Sequence, residues 1–246
     1  MNNILVPTDF TSNSNATLDW ARLFARKTSA TITLLHVFQP MIPDSTLPSI
    51  GATSDVGVGI SASHDLEQIS RDGLDRLTGQ LTAEGFSVRS EWRMGTAEDE
   101  ILASADEFGA DLIIIGRSSI STFFDRVAGS AASDVATDAI CPVLIVPGPD
   151  EHGLSHPAQV RTIAYAMQPK TTQSDVTTQT GSLVDAFDAQ LTVLTGDQLD
   201  KATADLLVMQ YVPQSGFLDG LLHPNPANKL VDNAPVPVLV YHVPKS

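Results

Sequence analysis

Ala30-Thr31-Ile32-Thr33-Leu34-Leu35 returns late in the chain as Ala189-Gln190-Leu191-Thr192-Val193-Leu194, 159 residues on. The same offset carries Ile4 onto Ile163. Further along the offset falls to 94, where Asp111-Leu112-Ile113-Ile114 faces Asp205-Leu206-Leu207-Val208. One residue later in register, Pro142-Val143-Leu144-Ile145 faces Pro237-Val238-Leu239-Val240. The difference between the two offsets, 65 residues, is a contiguous block that the second copy lacks, roughly residues 38 to 102 of the first. An internal repeat of this length means two related folding units, one complete and one cut down.

The repeated segments are short and mostly apolar, the pattern of strands buried on both faces of a parallel sheet. Ile4-Leu5-Val6-Pro7, Thr31 to Phe38, Phe86 to Met94, Leu112 to Ile115 and Val143 to Val146 are read as five strands of the first unit. Helical periodicity fills the gaps. Ala16, Trp20, Leu23 and Phe24 share a face behind Thr11, Ser12 and Asn13, which can cap the helix. A polar-faced helix is expected over 64–83, and another behind Thr96 and Asp99, a capping arrangement. Ala128, Ala131, Ala132, Val135 and Ala136 form the inner stripe of a fourth. Residues 39–63, rich in Pro, Gly and Ser, are read as a long loop. The second unit repeats strands at Thr162 to Met167, Leu191 to Thr195, Asp205 to Met209 and Val238 to Tyr241, with one helix ending near Phe187.

Strands alternating with helices imply an α/β protein of two doubly wound parallel-sheet domains. The expected bounds are 1–148 for the complete domain, 149–160 for a Gly- and Pro-containing linker, and 161–246 for the shortened domain. That second domain lacks the counterpart of strand 3 and its flanking helix. A parallel sheet leaves its last strand as an open edge. Val143–Val146 and Val238–Tyr241 can therefore pair across a pseudo-two-fold axis inside one chain.

Composition narrows the function classes. The chain of 246 residues carries 14 basic and 29 acidic side chains, net −15. Such a surface repels nucleic-acid phosphates and anionic lipid, so neither nucleic acid nor membrane is an expected partner. The single cysteine, Cys141, lies beside Pro142 at the start of an apolar run and is read as a small core hydrophobe. The apolar start and the lack of a leader pattern give the expectation of a soluble, cytoplasmic protein. His152 and His156 are the one helix-like histidine spacing, and they fall in the linker. A receiver-type phosphoacceptor is excluded, because Met94-Gly95 and Pro147-Gly148 stand where its aspartate and lysine belong.

One local pattern points to a ligand. Gly116 closes the fourth strand, Arg117, Ser118 and Ser119 follow, and after nine more residues Gly129-Ser130 open an alanine-rich helix at Ala131. Glycine at a strand end lets backbone approach a ligand, and a helix start offers free N–H groups to an anion. The alternative is that Gly116 turns the chain and Gly129-Ser130 cap a helix.

Together with Val6-Pro7-Thr8-Asp9-Phe10, Leu35-His36-Val37, Asp111-Leu112-Ile113-Ile114-Ile115-Gly116 and Pro142-Val143-Leu144-Ile145-Val146-Pro147, this pattern resembles the universal stress protein family. The resemblance covers the first copy closely and the second loosely. It implies a five-stranded parallel sheet of order 3-2-1-4-5, often dimeric through the last strand, so a homodimer is a candidate assembly. It also implies ATP, with magnesium, in those members that keep Gly-x-x-Gly, nine residues, Gly-Ser/Thr. This chain keeps the spacing but has Ser119 in place of the second glycine. If that position needs positive φ, serine costs on the order of 1 kcal/mol; if only its N–H is used, nothing is lost. By resemblance Asp9 meets the adenosine end, Val37 the base, and Gly116, Ser119, Gly129, Ser130 and Ala131 the phosphates, with Pro7, Thr8 and Ser118 beside them in the candidate cofactor-binding set. Asp9 has the alternative role of capping the first helix. The second copy has Ala166, Gln168 and Gln210 where the first has Pro7, Asp9 and Gly116, so no nucleotide is expected there.

Two functional classes follow: a nucleotide-binding stress or signalling module, and a nucleotide-free scaffold or interaction module. Catalytic residues are not identified. Asp9 and Asp125 are the only carboxylates near the phosphate pattern, which allows at most slow ATP hydrolysis.

Overall fold

The computed structural model describes residues 1–39, 55–117, 131–149, 155, 157–167, 171–195, 204–211 and 234–242. The expected strands form: β1 (Asn3–Pro7), β2 (Thr31–Phe38), β3 (Val88–Met94), β4 (Leu112–Arg117), β5 (Val143–Pro147), β6 (Thr162–Met167), β7 (Gln190–Thr195), β8 (Leu206–Tyr211) and β9 (Val238–His242). Five helices are described: α1 (Ser12–Thr28), α2 (Asp55–Ala83), α3 (Ala97–Glu107), α4 (Ala131–Asp138) and α5 (Gln173–Phe187). The loop expected over 39–63 is corrected in its second part. Helix α2 begins at Asp55, within a stretch to which Gly57 and Gly59 give the composition of a loop. Residues 40–54 lie outside the described set.

The strands make one nine-stranded sheet of order β3-β2-β1-β4-β5-β9-β8-β6-β7. The first half therefore has the expected order 3-2-1-4-5. The second half, β9-β8-β6-β7, runs through the same connections without a counterpart of β3. Every pairing is parallel except β5 with β9, which is antiparallel. There Val143 faces Val240, Leu144 faces Leu239 and Ile145 faces Val238. Leu144 thus sits opposite its own counterpart in the repeat, and a local two-fold passes between them.

Period-two alternation divides the core into two faces. Ile4, Val6, Ile32, Leu34, Ile114, Leu144, Tyr165, Val208 and Leu239 point to the side covered by α1, α2 and α5. Leu5, Leu35, Ile113, Ile145, Ala166, Met209 and Val240 point to the side carrying α3 and α4. On the first side the core does not stop at the boundary between copies. Phe24 of α1 meets Phe187 of α5 edge-on at 5.2 Å, and the Lys27 ammonium lies 5.8 Å from the same ring. The two copies share a sheet and a core.

Local signals explain the helix ends. Thr172 and Asp175 build a reciprocal capping box on α5. At α3 the Thr96 hydroxyl bonds the Asp99 carboxylate, and the helix N-cap has no side-chain bond to backbone, which corrects the capping expectation there. Cys141 is buried among apolar neighbours, and burial, with Asp111 nearby, pushes its thiol up to about 11. It is held as a neutral thiol.

The repeat extends to single hydrogen bonds. Asp111, ahead of β4, accepts from the backbone N–H groups of Asn2 and Asn3. Asp205, ahead of β8, accepts from those of Arg161 and Thr162 at 2.8 and 3.0 Å. Each carboxylate thereby staples the start of one central strand to the start of its neighbour. The bonds from Asn2 and Asn3, assisted by the N-terminal charge, hold Asp111 below the ordinary carboxylate value against some burial. At Asp205 burial is the largest influence and acts upward, but the bonds from Arg161, Thr162 and Gln159 outweigh it. A carboxylate depressed in the folded state stabilises above its unfolded pKa, about 3.9, and that contribution disappears as pH falls through the folded value. Asp111→Asn and Asp205→Asn are each expected to cost about 1 kcal/mol at pH 7, discounted for solvent screening. Melting curves from pH 7 to 2.5 should show both variants converging on the wild type below pH 4. A gap that stays constant with pH would contradict the assignment.

Candidate functional site

At the carboxyl ends of β1, β2 and β4 the chain opens a cavity of about 210 Å³. Strand β1 lies between β2 and β4, so connections leave it in opposite directions, and the crevice is the topological switch point where open α/β sheets hold ligands. Of the residues expected from sequence, Pro7, Thr8, Asp9, Val37 and Gly116 line this cavity together. Ala131 begins α4, beyond the end of β4. Ser118, Ser119, Gly129 and Ser130 lie outside the described residues, as do Gln168, Asp125, His152 and His156.

Other lining groups carried no signal read from the sequence. Ser14 and Thr17 come from the first turns of α1, three residues apart and therefore on one helix face. Ala97 and Ile101 come from α3, and His36 from β2. Ser14 and Thr17 are buried hydroxyl residues on an otherwise apolar helix face, a pattern that could have marked them. His36 stood inside the quoted Leu35-His36-Val37, where only Val37 had a role.

The loop after β1 is tightly organised. The Oδ1 atom of Asp9 accepts from the Thr11 backbone N–H at 3.0 Å and from the Thr11 and Ser14 hydroxyls at 2.7 Å each. Burial acts to raise the Asp9 carboxyl, yet these bonds from Thr11 and Ser14 prevail and hold it below its ordinary value. Asp9 is thus an anion at neutral pH. Its bonds form a turn two residues long ahead of α1, with Thr11 as the N-cap, so the direct capping role is replaced by a turn-stapling one. The His36 Nδ1 donates to the Thr8 carbonyl at 2.8 Å, and its ring packs on Phe10 at 4.6 Å. Phe10 has φ of 60°, a conformation a bulky residue seldom adopts. The ring also meets Gly73 of α2, where a Cβ would come within 3.4 Å of ring carbons. Helix α2 thereby braces the loop that carries Asp9.

Chemically, the cavity offers apolar walls from Leu35, Val37, Ile101 and Ile115, one carboxylate, and hydroxyls from Thr8 and Ser14. Its rim at Gly116 has no side chain. No group of three or more His, Cys, Asp or Glu positioned for a metal ion occurs among the described residues. At the corresponding place in the second half, Ala166 and Gln210 are buried. Nearby, the Tyr165 phenol donates to Gln179 at 2.8 Å and burial pushes it up to about 12.

Residues 1–147 match the model of the universal stress protein family. The chain belongs to that family. Universal stress protein YxiE of Bacillus subtilis is 28% identical over 152 residues, which cover 59% of this chain and 98% of YxiE. Solved universal stress protein structures extend the likeness across both halves. One from Archaeoglobus fulgidus superposes with a TM-score of 0.62 at 16% identity, covering 98% of this chain and 96% of its own. One from Pseudomonas aeruginosa gives 0.64 at 16% identity, covering 98% and 93%. At such identities the likeness is one of fold. No helix among the described residues is long and apolar enough to cross a membrane.

Proposed function

We propose that this universal stress protein binds one adenine nucleotide per chain, ATP with magnesium, at the switch-point cavity of its first half. The observation that carries the reading is the convergence of Pro7, Thr8, Asp9, Val37 and Gly116 on one cavity. The fit is chemical. Val37 and Leu35 suit a flat apolar base, the ionised Asp9 suits ribose hydroxyls, and the bare Gly116 backbone lets phosphate approach. The cavity is smaller than the roughly 300 Å³ of typical ligand pockets, so it takes a base and sugar. The phosphates fall to Gly116, Ser118, Ser119, Gly129, Ser130 and the start of α4 at Ala131. When bound, magnesium would neutralise phosphate charge; no residue is assigned to it.

The second half is, in this reading, a degenerate family domain that acts as a built-in partner. Its β9 occupies the open edge of β5, with Leu144 on Leu239, as an identical subunit would. It keeps what packs and pairs, and Gln210 and Ala166 replace the ligand-facing positions.

Thermal unfolding with and without ATP and magnesium tests the site. At a hundred times its Kd the nucleotide adds about 2.7 kcal/mol, roughly 5–10 °C for a chain of this size. Ser119→Gly should enlarge the shift. No shift at millimolar ATP in either protein leaves the nucleotide-free scaffold reading in its place, which the engagement of Asp9 Oδ1 by its own loop would then explain.

A further inference from the structure

The antiparallel junction does more than cover an edge. Because β5 and β9 run in opposite directions, the start of β9 lies beside the ligand-facing end of β4 and β5. The end of β9 lies beside the far end of β5 and the helix that precedes it. A side chain crosses the boundary at each place. Arg117, the residue after Gly116, donates from Nη2 to the carbonyl of Ala234 at 2.7 Å. His242, the last residue of β9, meets the carbonyl of Ala136 in α4 with Nε2 at 2.8 Å.

Both acceptors matter. Ala234 is buried, so a charge-assisted bond to its carbonyl is formed where the dielectric is low. The carbonyl of Ala136 is among the last four of α4, which have no partner within the helix. A carbonyl can only accept, so His242 Nε2 carries the proton and acts as a C-terminal cap. Helix α4 is eight residues long, too short to hold its shape or direction alone. Its start is Ala131 and its end is held by His242.

We infer that Arg117 and His242 are positioning residues by which the second half sets the ligand-facing end of the first, one at the end of β4 beside Gly116 and one on α4. The structural part of this statement stands on the two bonds; its consequence for affinity rests on the nucleotide reading above. The shortened copy, without a site of its own, then contributes to the site of its neighbour.

The test uses the full chain with His242→Ala, which removes the cap, and His242→Gln, which keeps an N–H donor. Hydrogen exchange followed by mass spectrometry reads α4, and titration with ATP and magnesium reads the site. Exchange across α4 should quicken about tenfold in His242→Ala and return toward wild type in His242→Gln, with β6 and β8 unchanged. ATP affinity should fall fivefold to tenfold in the first and recover in the second, the scale of one hydrogen bond. Unchanged exchange in a folded His242→Ala chain overturns the inference. So does faster exchange without any loss of affinity in a protein that binds. A wild-type chain that takes up no ATP, with α4 still loosened by His242→Ala, refutes the nucleotide reading and upholds the positioning.

Discussion

Leu239→Pro is expected to split the unfolding of this chain into two transitions and to remove at least about 3 kcal/mol from the second half. Leu239 sits at the centre of β9, pairs Leu144 on one side and Val208 on the other, and is 1% exposed. Proline there deletes a ladder N–H in a strand that has no free edge, a position where it is essentially never tolerated. It also leaves a hole in the shared core on the α1 side. Both tryptophans, Trp20 and Trp92, lie in the first half, so their fluorescence reports that half alone while far-ultraviolet circular dichroism reports both. In the wild type the two signals should melt together, because one sheet and the Phe24–Phe187 contact join the halves. In the variant the dichroism should fall first. The released β5, an apolar Val-Leu-Ile-Val-Pro edge, should then draw the protein into dimers or aggregates. Wild-type signals that melt apart would show the halves to be independent.

That junction was legible in the sequence because the repeat is written in apolar runs, and runs buried on both faces leave little choice of element. The carboxylate staples were legible only as a repetition. Asp111 and Asp205 recur at the same offset as the strands they precede, but nothing in a lone aspartate says which N–H groups it will meet. The start of α2 was hidden by Gly57 and Gly59, which give that stretch the composition of a loop. The site divided in the same way. Pro7, Asp9, Val37 and Gly116 stand at strand ends, where spacing and motif can point to them. Ser14, Thr17, Ala97 and Ile101 reach the cavity from two helices on either side of it, a convergence that only the packing creates. Phe10 was invisible for another reason. Positive φ is read from glycine or asparagine, and here it falls on a phenylalanine whose ring meets His36 and Gly73.

Those helix-borne residues supply the sharpest test of where nucleotide goes. On the nucleotide reading proposed above, Ala97→Trp is expected to abolish the rise in melting temperature that ATP brings while changing the ligand-free stability by less than about 1 kcal/mol. Ala97 is the first residue of α3, half-buried, and its methyl group faces the 210 Å³ cavity. An indole has vacant space to enter there, so the overpacking cost of 1–3 kcal/mol usual in a filled core is mostly avoided. Base and indole cannot share the cavity, and affinity should fall more than about a hundredfold, which cancels the 2.7 kcal/mol of linkage expected at a hundred times Kd. Asp9→Asn should do less. The amide oxygen can still accept from Thr11 and Ser14, so the loop holds, and only the charge offered to ribose is lost, a factor of about ten on the scale of a charged hydrogen bond. Steric closure should therefore outweigh charge removal at this site. An Ala97→Trp chain that keeps the wild-type shift would place the nucleotide elsewhere in the molecule. Equal losses from both substitutions would make Asp9, and with it the whole loop braced by Phe10, the dominant determinant of binding.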